Sequence, residues 1–398
     1  MQSVHDIKMQ NTYRILNAIR FNGGQTKKEI ASDTGLSVAT VSNICRELKE
    51  KRLILEVPMD KSDLGVGRLP SKMLLNYSEF FGVCIDMHSR ERTVLALTNL
   101  RNEIIIKKEV RLRKWDQLMD FIEDCHKVCT QACEEAGVNR EQLLGLCVAI
   151  PAIYDIKTGL AVGVCAGFYE SLLEGQSVKA LFEEVFRLPV VVDNESNIAS
   201  MFITSHNALS MQSVKNLMYI SCSEGLGIGI IADGKQLVGC DGHAGEICHI
   251  PIGSEKLLCK LCGNTGCAES DLSLFGFITK YLDSDEWNKE ELYVYWDKFL
   301  AAVERGEAKA LAVVDENAKV FGKLLSILVN LFDPEIIYVG GNGAVLFERM
   351  RPLVEAEVAS RLIARDHNPT ILLQDNDKNT IIYGCAEIVY SGINFAAL

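Results

Sequence analysis

The sequence predicts a small helical head carrying a β-hairpin, followed by two α/β lobes that face each other across a cleft. Three observations lead there. At 398 residues the chain is too long for one ordinary core. Its charge is divided: residues 1–76 hold 12 Lys and Arg against 8 Asp and Glu, and the remainder holds 29 against 45, so a head of net +4 precedes a body of net −16. Beyond residue 77 the pattern runs strand-strand-strand-helix-strand-helix-strand, and a similar series starts near Met218.

In the head, residues 10–22 read as an amphipathic helix with Ile15, Leu16 and Ile19 on its apolar side, ended by Gly23-Gly24. Thr26 and Glu29 have the spacing of a capping box for a second helix, which turns Ile30 and Ala31 inward. Gly35 permits a tight turn, and Ser37 caps a third helix from Val38 to Lys51 that buries Val41, Ile44, Cys45 and Leu48. Two short apolar runs, 53–57 and 72–76, flank a Gly-, Asp- and Pro-rich stretch at 60–70 and read as a hairpin with a long tip. Together these elements make a winged helix-turn-helix. Ser37, Thr40, Ser42, Asn43 and Arg46 lie along the outer face of the third helix. Such donors and acceptors fit a major groove about 12 Å wide. Lys27, Lys28, Lys49 and Arg52 are placed to pair with phosphates, and Arg68 stands at the hairpin tip, where a wing reaches the minor groove. Only the basic head is expected to meet operator DNA.

In the body, strands are expected at 81–86, 93–97, 103–106, 144–150 and 189–192, with helices at 115–136 and 178–186. The second series has strands at 218–222, 228–232 and 336–339 and helices through 271–331. The expected division is a DNA-binding unit at 1–76 and a body at 77–398. Its first lobe is 77–195 with a C-terminal helix at 381–398; its second is 196–380.

With 48% hydrophobic and 24% charged residues, the chain can fill large cores and stay in solution. No apolar run approaches the roughly 20 residues that cross a bilayer, and the first residues lack a leader pattern, so a cytoplasmic protein without membrane partners is expected. Most of the 14 cysteines should then be free, buried thiols. One cluster differs. His249, Cys259, Cys262 and Cys267 have the spacing His-x9-Cys-x2-Cys-x4-Cys, a ligand set for a closed tetrahedral structural Zn2+, with Gly263 and Gly266 letting the backbone turn sharply.

The run 242–249, Gly-His-Ala-Gly-Glu-Ile-Cys-His, followed by Cys259 to Glu269 and by Asp333-Pro334-Glu335 leading into Gly340-Gly341, resembles the signature of the ROK family. The family groups bacterial repressors with sugar kinases, and the resemblance spans essentially the whole chain. It implies an actin-like, ribonuclease H-like fold of the sugar-kinase type, with a monosaccharide between the lobes. It also implies that Asn194, Glu195, Glu246, His249 and Glu269 hold the sugar, the histidine serving metal and sugar together. Carboxylates and an amide suit vicinal hydroxyls, while Asn194 could equally cap the helix after it. Pro151 and Gly167-Phe168 are expected in loops near the cleft.

Four departures from the family pattern stand out. Two residues rather than one separate Cys259 and Cys262, and Cys248 replaces a glycine. Glu195 stands where the family's kinases carry a catalytic Asp; repressors of the xylose type also carry Glu there. The first phosphate loop, Asp-Ile-Gly-Gly-Thr in the family, is here Asp86-Met87-His88-Ser89-Arg90, without glycine. A carboxylate displaced by about an ångström can lose about 10²-fold in rate, and side chains at 86–90 occupy space that backbone amides need for phosphates. The second glycine cluster, 225–229, is intact, but by itself such a cluster can equally just shape a strand turn. The expectation is a sugar-responsive repressor without catalytic residues, binding DNA as a homodimer or dimer of dimers; the alternative is an ATP-dependent sugar kinase with an added DNA-binding unit.

Overall fold

The structure, a computed structural model, describes residues 4–59, 71–89, 92–110, 117–164, 171–207, 214–363, 369–374 and 379–392. The head comprises α1 (Val4–Phe21), β1 (Gln25–Thr26), α2 (Lys27–Thr34), α3 (Val38–Glu50), β2 (Ile54–Pro58) and β3 (Ser71–Leu75). The local signals act as expected. Thr26 and Glu29 close a reciprocal capping box, Gly35 adopts a left-handed φ of 67°, and Ser37 Oγ accepts from Thr40 N at 3.1 Å. Two features differ from the sequence reading. Helix α1 starts at Val4 rather than residue 10; residues 7–10 are largely exposed, and an exposed stretch shows no apolar period in the sequence. The two-residue strand β1 joins the hairpin in a sheet of order β1-β3-β2.

The first lobe is built from β4 (Phe81–Ser89), β5 (Arg92–Asn99), β6 (Ile104–Val110), α4 (Leu118–Ala136), β7 (Leu143–Ile150), the small hairpin β8 (Ile153–Asp155) and β9 (Leu160–Val162), α5 (Val178–Phe186) and β10 (Val190–Asn194). Helix α6 (Glu195–Asn207) then crosses to the second lobe. There follow β11 (Leu217–Cys222), β12 (Leu226–Ala232), β13 (Lys235–Gln236), α7 (Ala268–Leu272), α8 (Leu274–Leu282), α9 (Leu292–Glu304), α10 (Ala308–Phe332), β14 (Ile336–Gly340), α11 (Phe347–Arg361), β15 (Thr370–Leu373) and α12 (Thr380–Ser391). The two five-stranded sheets share one plan. In order β10-β7-β4-β5-β6, strands β4 to β6 are antiparallel and β7 and β10 run parallel to β4; in order β13-β12-β11-β14-β15, β11 and β12 are antiparallel and β14 and β15 run parallel.

Two helices join the sheets. Helix α6 lies on β11 and β12, and α12 lies on β4 and β7; the two helices pack on each other, with the Phe202 and Tyr383 rings 5.2 Å apart. One hydrophobic core runs from Ile15, Ile19 and Leu53 of the head through Ile382 and Cys385 of α12 and Ile198 of α6 to Leu217 and Ile336 of the second sheet. The head is also fastened by charge. Arg20 of α1 and Glu387 of α12 form a two-pronged ion pair, one prong at 3.0 Å, with side chains only 8% and 3% exposed. Asn102 Nδ2 donates to the same carboxylate at 2.9 Å. Among the described residues, no helix is long and apolar enough to cross a membrane.

Candidate functional site

Strand β10 delivers its last residue, Asn194, to the mouth of the inter-lobe cleft, and α6 begins there with Glu195. Asn194 Oδ1 accepts from Asn197 N at 2.8 Å, so it caps α6 and lines the cleft at once. The preceding Asp193, unremarked in the sequence, is half-buried and ties three elements together. It accepts from Asn194 N and Asn197 Nδ2 at 2.8 Å and from Gln236 Nε2 at 2.9 Å. Burial raises its pKa, and these three donors oppose the rise.

The cleft encloses about 870 Å³ of space when its open mouth is included. Asn194, Glu195, Glu246 and Glu269 all line it, with Pro151 on the first-lobe side. His249 is not part of the lining: its Nδ1 faces Cys259 Sγ at 3.6 Å, behind the wall. Residues 167 and 168 and Arg68 lie outside the described residues. Burial pushes Glu269 up to about 7, and the Glu246 and Glu195 carboxylates push the same way. Burial also raises Glu246. At about 7 the Glu269 carboxyl is partly neutral near physiological pH and can donate as well as accept, which suits hydroxyl groups.

Behind that wall, the ligand atoms of His249, Cys259, Cys262 and Cys267 all lie within 4.8 Å of one another, and Cys262 and Cys267 Sγ are 3.4 Å apart. A tight hairpin presents them. Cys259 N donates to Asn264 O at 2.7 Å, Gly263 N to Cys259 O at 2.9 Å, and Gly263 and Gly266 have φ of 72° and 80°. Such a cluster could hold a metal ion, since three thiols and an imidazole are a ligand set for a four-coordinate site. Burial lowers the His249 pKa, which favours the neutral imidazole a metal needs.

On the head, Ser37, Asn43, Arg46 and Lys28 are exposed, and Thr40 and Ser42 of α3 are half-buried. Lys27 and Lys49 both engage Glu56, at 3.5 and 2.9 Å, and Arg52 engages Glu79 at 3.3 Å. These three cations are therefore held by carboxylates, unlike Lys28 and Arg46, for which no ion pair is found among the described residues.

The sequence profile of the ROK family matches residues 83–391. The chain belongs to the ROK family. A profile for winged helix-turn-helix DNA-binding matches residues 10–54. The chain is 25% identical to the xylose repressor of Caldicellulosiruptor bescii, across 97% of this chain and 96% of that one. It is 29% identical to a glucokinase of Halalkalibacterium halodurans, across 67% and 83%. In fold it is similar to a ROK family transcriptional regulator described as a homolog of the E. coli MLC protein, with a TM-score of 0.78, 22% identity and coverage of 97% and 98%. A ROK family glucokinase of Streptomyces griseus, solved with glucose and AMPPNP, superposes with a TM-score of 0.61 at 20% identity, covering 78% of this chain and all of that one.

Two ROK motifs look different once placed in the fold. The stretch that aligns with the first phosphate loop is strand: β4 pairs with β5 out to Ser89 and Arg92, through a bulge after Asp86, while Asp86 and Met87 are buried. The glycines at 227 and 229 lie beneath α6. A Cβ at Gly229 would collide with the Ser196 carbonyl oxygen and lie 2.6 Å from Ser200 Cβ; one at Gly227 would strike the Ser196 hydroxyl. Their absent side chains let the helix that starts at Glu195 settle on β12.

Proposed function

We propose that this ROK protein is a sugar-responsive transcriptional repressor. The head binds operator DNA through α3, with Ser37, Thr40, Ser42, Asn43 and Arg46 toward the bases and Lys28 toward phosphate. Lys27 and the wing residue Arg68 join in once the head is on DNA. A monosaccharide occupies the inter-lobe cleft, held by Asn194, Glu195, Glu246 and Glu269, and His249 acts on it only through the shared wall. The metal is Zn2+ in a structural role, binding the turn that carries Glu246 to the one that carries Glu269. The chain acts as a dimer or dimer of dimers, because a two-fold operator reads two heads at fixed spacing.

The observation that carries this reading is the continuity from cleft to head. Glu195 opens α6, α6 packs on α12, and α12 grips α1 through Glu387. Sugar can change DNA affinity only by binding two arrangements of the molecule unequally. The test is operator binding by mobility shift with and without each of a panel of monosaccharides, alongside thermal shift. At least one sugar should raise the melting temperature and change operator affinity, and Glu246→Ala with Glu269→Ala should abolish both effects. A panel in which no sugar does either refutes the reading.

The glucokinase match supports a second reading, an ATP-dependent sugar kinase with an added head. The strand at 86–89 leaves no glycine cradle for phosphates, and Glu195 replaces the expected base, so we expect no turnover in a coupled assay with glucose and ATP. Measurable phosphorylation abolished by Glu195→Ala would establish the kinase instead.

A further inference from the structure

The cleft holds one side chain that the proposed function leaves without a task. Cys248 sits in the short turn Ile247–His249, is buried, and lines the cleft. Its thiol is a donor to both cleft carboxylates, at 3.6 Å from Glu246 Oε2 and also toward Glu269, its single proton serving one at a time. The sulfur thus stands between the two acidic groups that face the ligand. Cys248 lines the same cleft, so hydroxyls that bridge Glu246 and Glu269 would lie beside it.

Two consequences follow from chemistry alone. A thiol is a weak donor, so it steadies the carboxylates without competing strongly against ligand hydroxyls. It is also bulky: its CH2–SH group matches a hydroxymethyl group in size and fills space that a glycine would leave open beside the hydroxyl pair. We propose that Cys248 is a specificity-determining residue for the effector. It closes the site to monosaccharides bearing an acyl substituent at the positions read by Glu246 and Glu269, and so selects unsubstituted aldoses. This inference rests on the reading of the cleft as the sugar site.

Steadying and blocking can be told apart. A residue that only held the carboxylates would alter affinity for every sugar alike, whereas a wall alters the ratio between sugars. The experiment is calorimetric titration of xylose, glucose and N-acetylglucosamine into the full-length wild type, Cys248→Gly, Cys248→Ala and Cys248→Ser, with metal content measured for each. One misplaced group in a fitted pocket discriminates by about 10–200-fold. The wild type should therefore prefer its better unsubstituted aldose over N-acetylglucosamine by about tenfold or more. That ratio should fall about tenfold in Cys248→Gly and in the same sense in Cys248→Ala, and Cys248→Ser, nearly equal in size, should keep it. Should Cys248→Gly disturb the adjoining metal turn, Cys248→Ala removes the sulfur alone and decides the matter. A ratio unmoved in both, or a wild type that favours the acetylated sugar, overturns the inference while leaving the sugar site standing. If the wild type binds no monosaccharide, the sugar reading falls and the inference with it.

Discussion

Replacing Glu387 by Gln is expected to loosen the head from the body while leaving both folded. The carboxylate meets Arg20 with both oxygens and receives Asn102 Nδ2 at 2.9 Å; the guanidinium lies over the rings of Phe21 and Tyr390, 4.9 and 5.8 Å from their centroids. Water cannot replace a partner here, since the two side chains are 8% and 3% exposed. Removing one member of a buried pair costs about 3–5 kcal/mol, because the remaining charge stays buried. Glutamine keeps the shape and one acceptor, which places Glu387→Gln near about 3 kcal/mol. At about 1.4 kcal/mol per tenfold, amides of α1 protected by docking should exchange roughly a hundredfold faster. Hydrogen–deuterium exchange read by mass spectrometry resolves this, with α10 peptides as an unaffected control. A charge-free pair, Arg20→Met with Glu387→Leu, should recover most of the loss or gain about 1–4 kcal/mol, because both desolvation costs vanish together. Exchange in α1 within about threefold of wild type for Glu387→Gln, or a double variant as open as the single, would refute the reasoning.

Hydrogen bonds from Lys49 and Ser71 hold Glu56 down to about 2, below its ordinary 4.5. A depressed carboxylate stabilises the fold fully above its unfolded value and loses that contribution as pH falls through the folded one. Thermal midpoints of the head should therefore decline between pH 4.5 and about 2, and Glu56→Gln should flatten that decline. Gly229→Ala must push α6 off β12, an overpacking cost of about 1–3 kcal/mol. It should lower the melting temperature and, by moving Glu195, weaken sugar binding in the same titration. Cys262→Ser should lose most bound metal by emission spectrometry and melt earlier; full metal content in that variant would disprove the ligand set.

What was legible in the sequence was local. The Thr26–Glu29 box, the left-handed Gly35 and the Ser37 cap each act within four residues, and all three stand in the structure as read. The Cys/His cluster was legible because its four members fall within a short stretch. Features that depend on distant approach were not. The glycine cluster at 225–229 left a phosphate loop and a plain strand turn both open in sequence, and nothing there showed that the spatial neighbours of 227 and 229 are Ser196 and Ser200 of α6. Strands β1 and β13 and the β8–β9 hairpin are too short for alternation to register. Nothing near Arg20 announces Glu387, and nothing around Cys248 shows that its sulfur would rest between two carboxylates contributed by separate turns. Asn194 stood open between helix cap and ligand contact; the fold lets one amide do the first while lining the space for the second.

Helix α12 has a consequence for the newborn protein. Glu387 enters the chain 367 residues after Arg20, an interval of roughly 20–70 seconds at ribosomal rates of about 5–20 residues per second. Throughout it, the head is a basic module whose Arg20 lacks the Glu387 carboxylate that clasps it. Translation halted before α12 would release such heads untethered, still shaped for DNA yet deaf to any signal from the cleft.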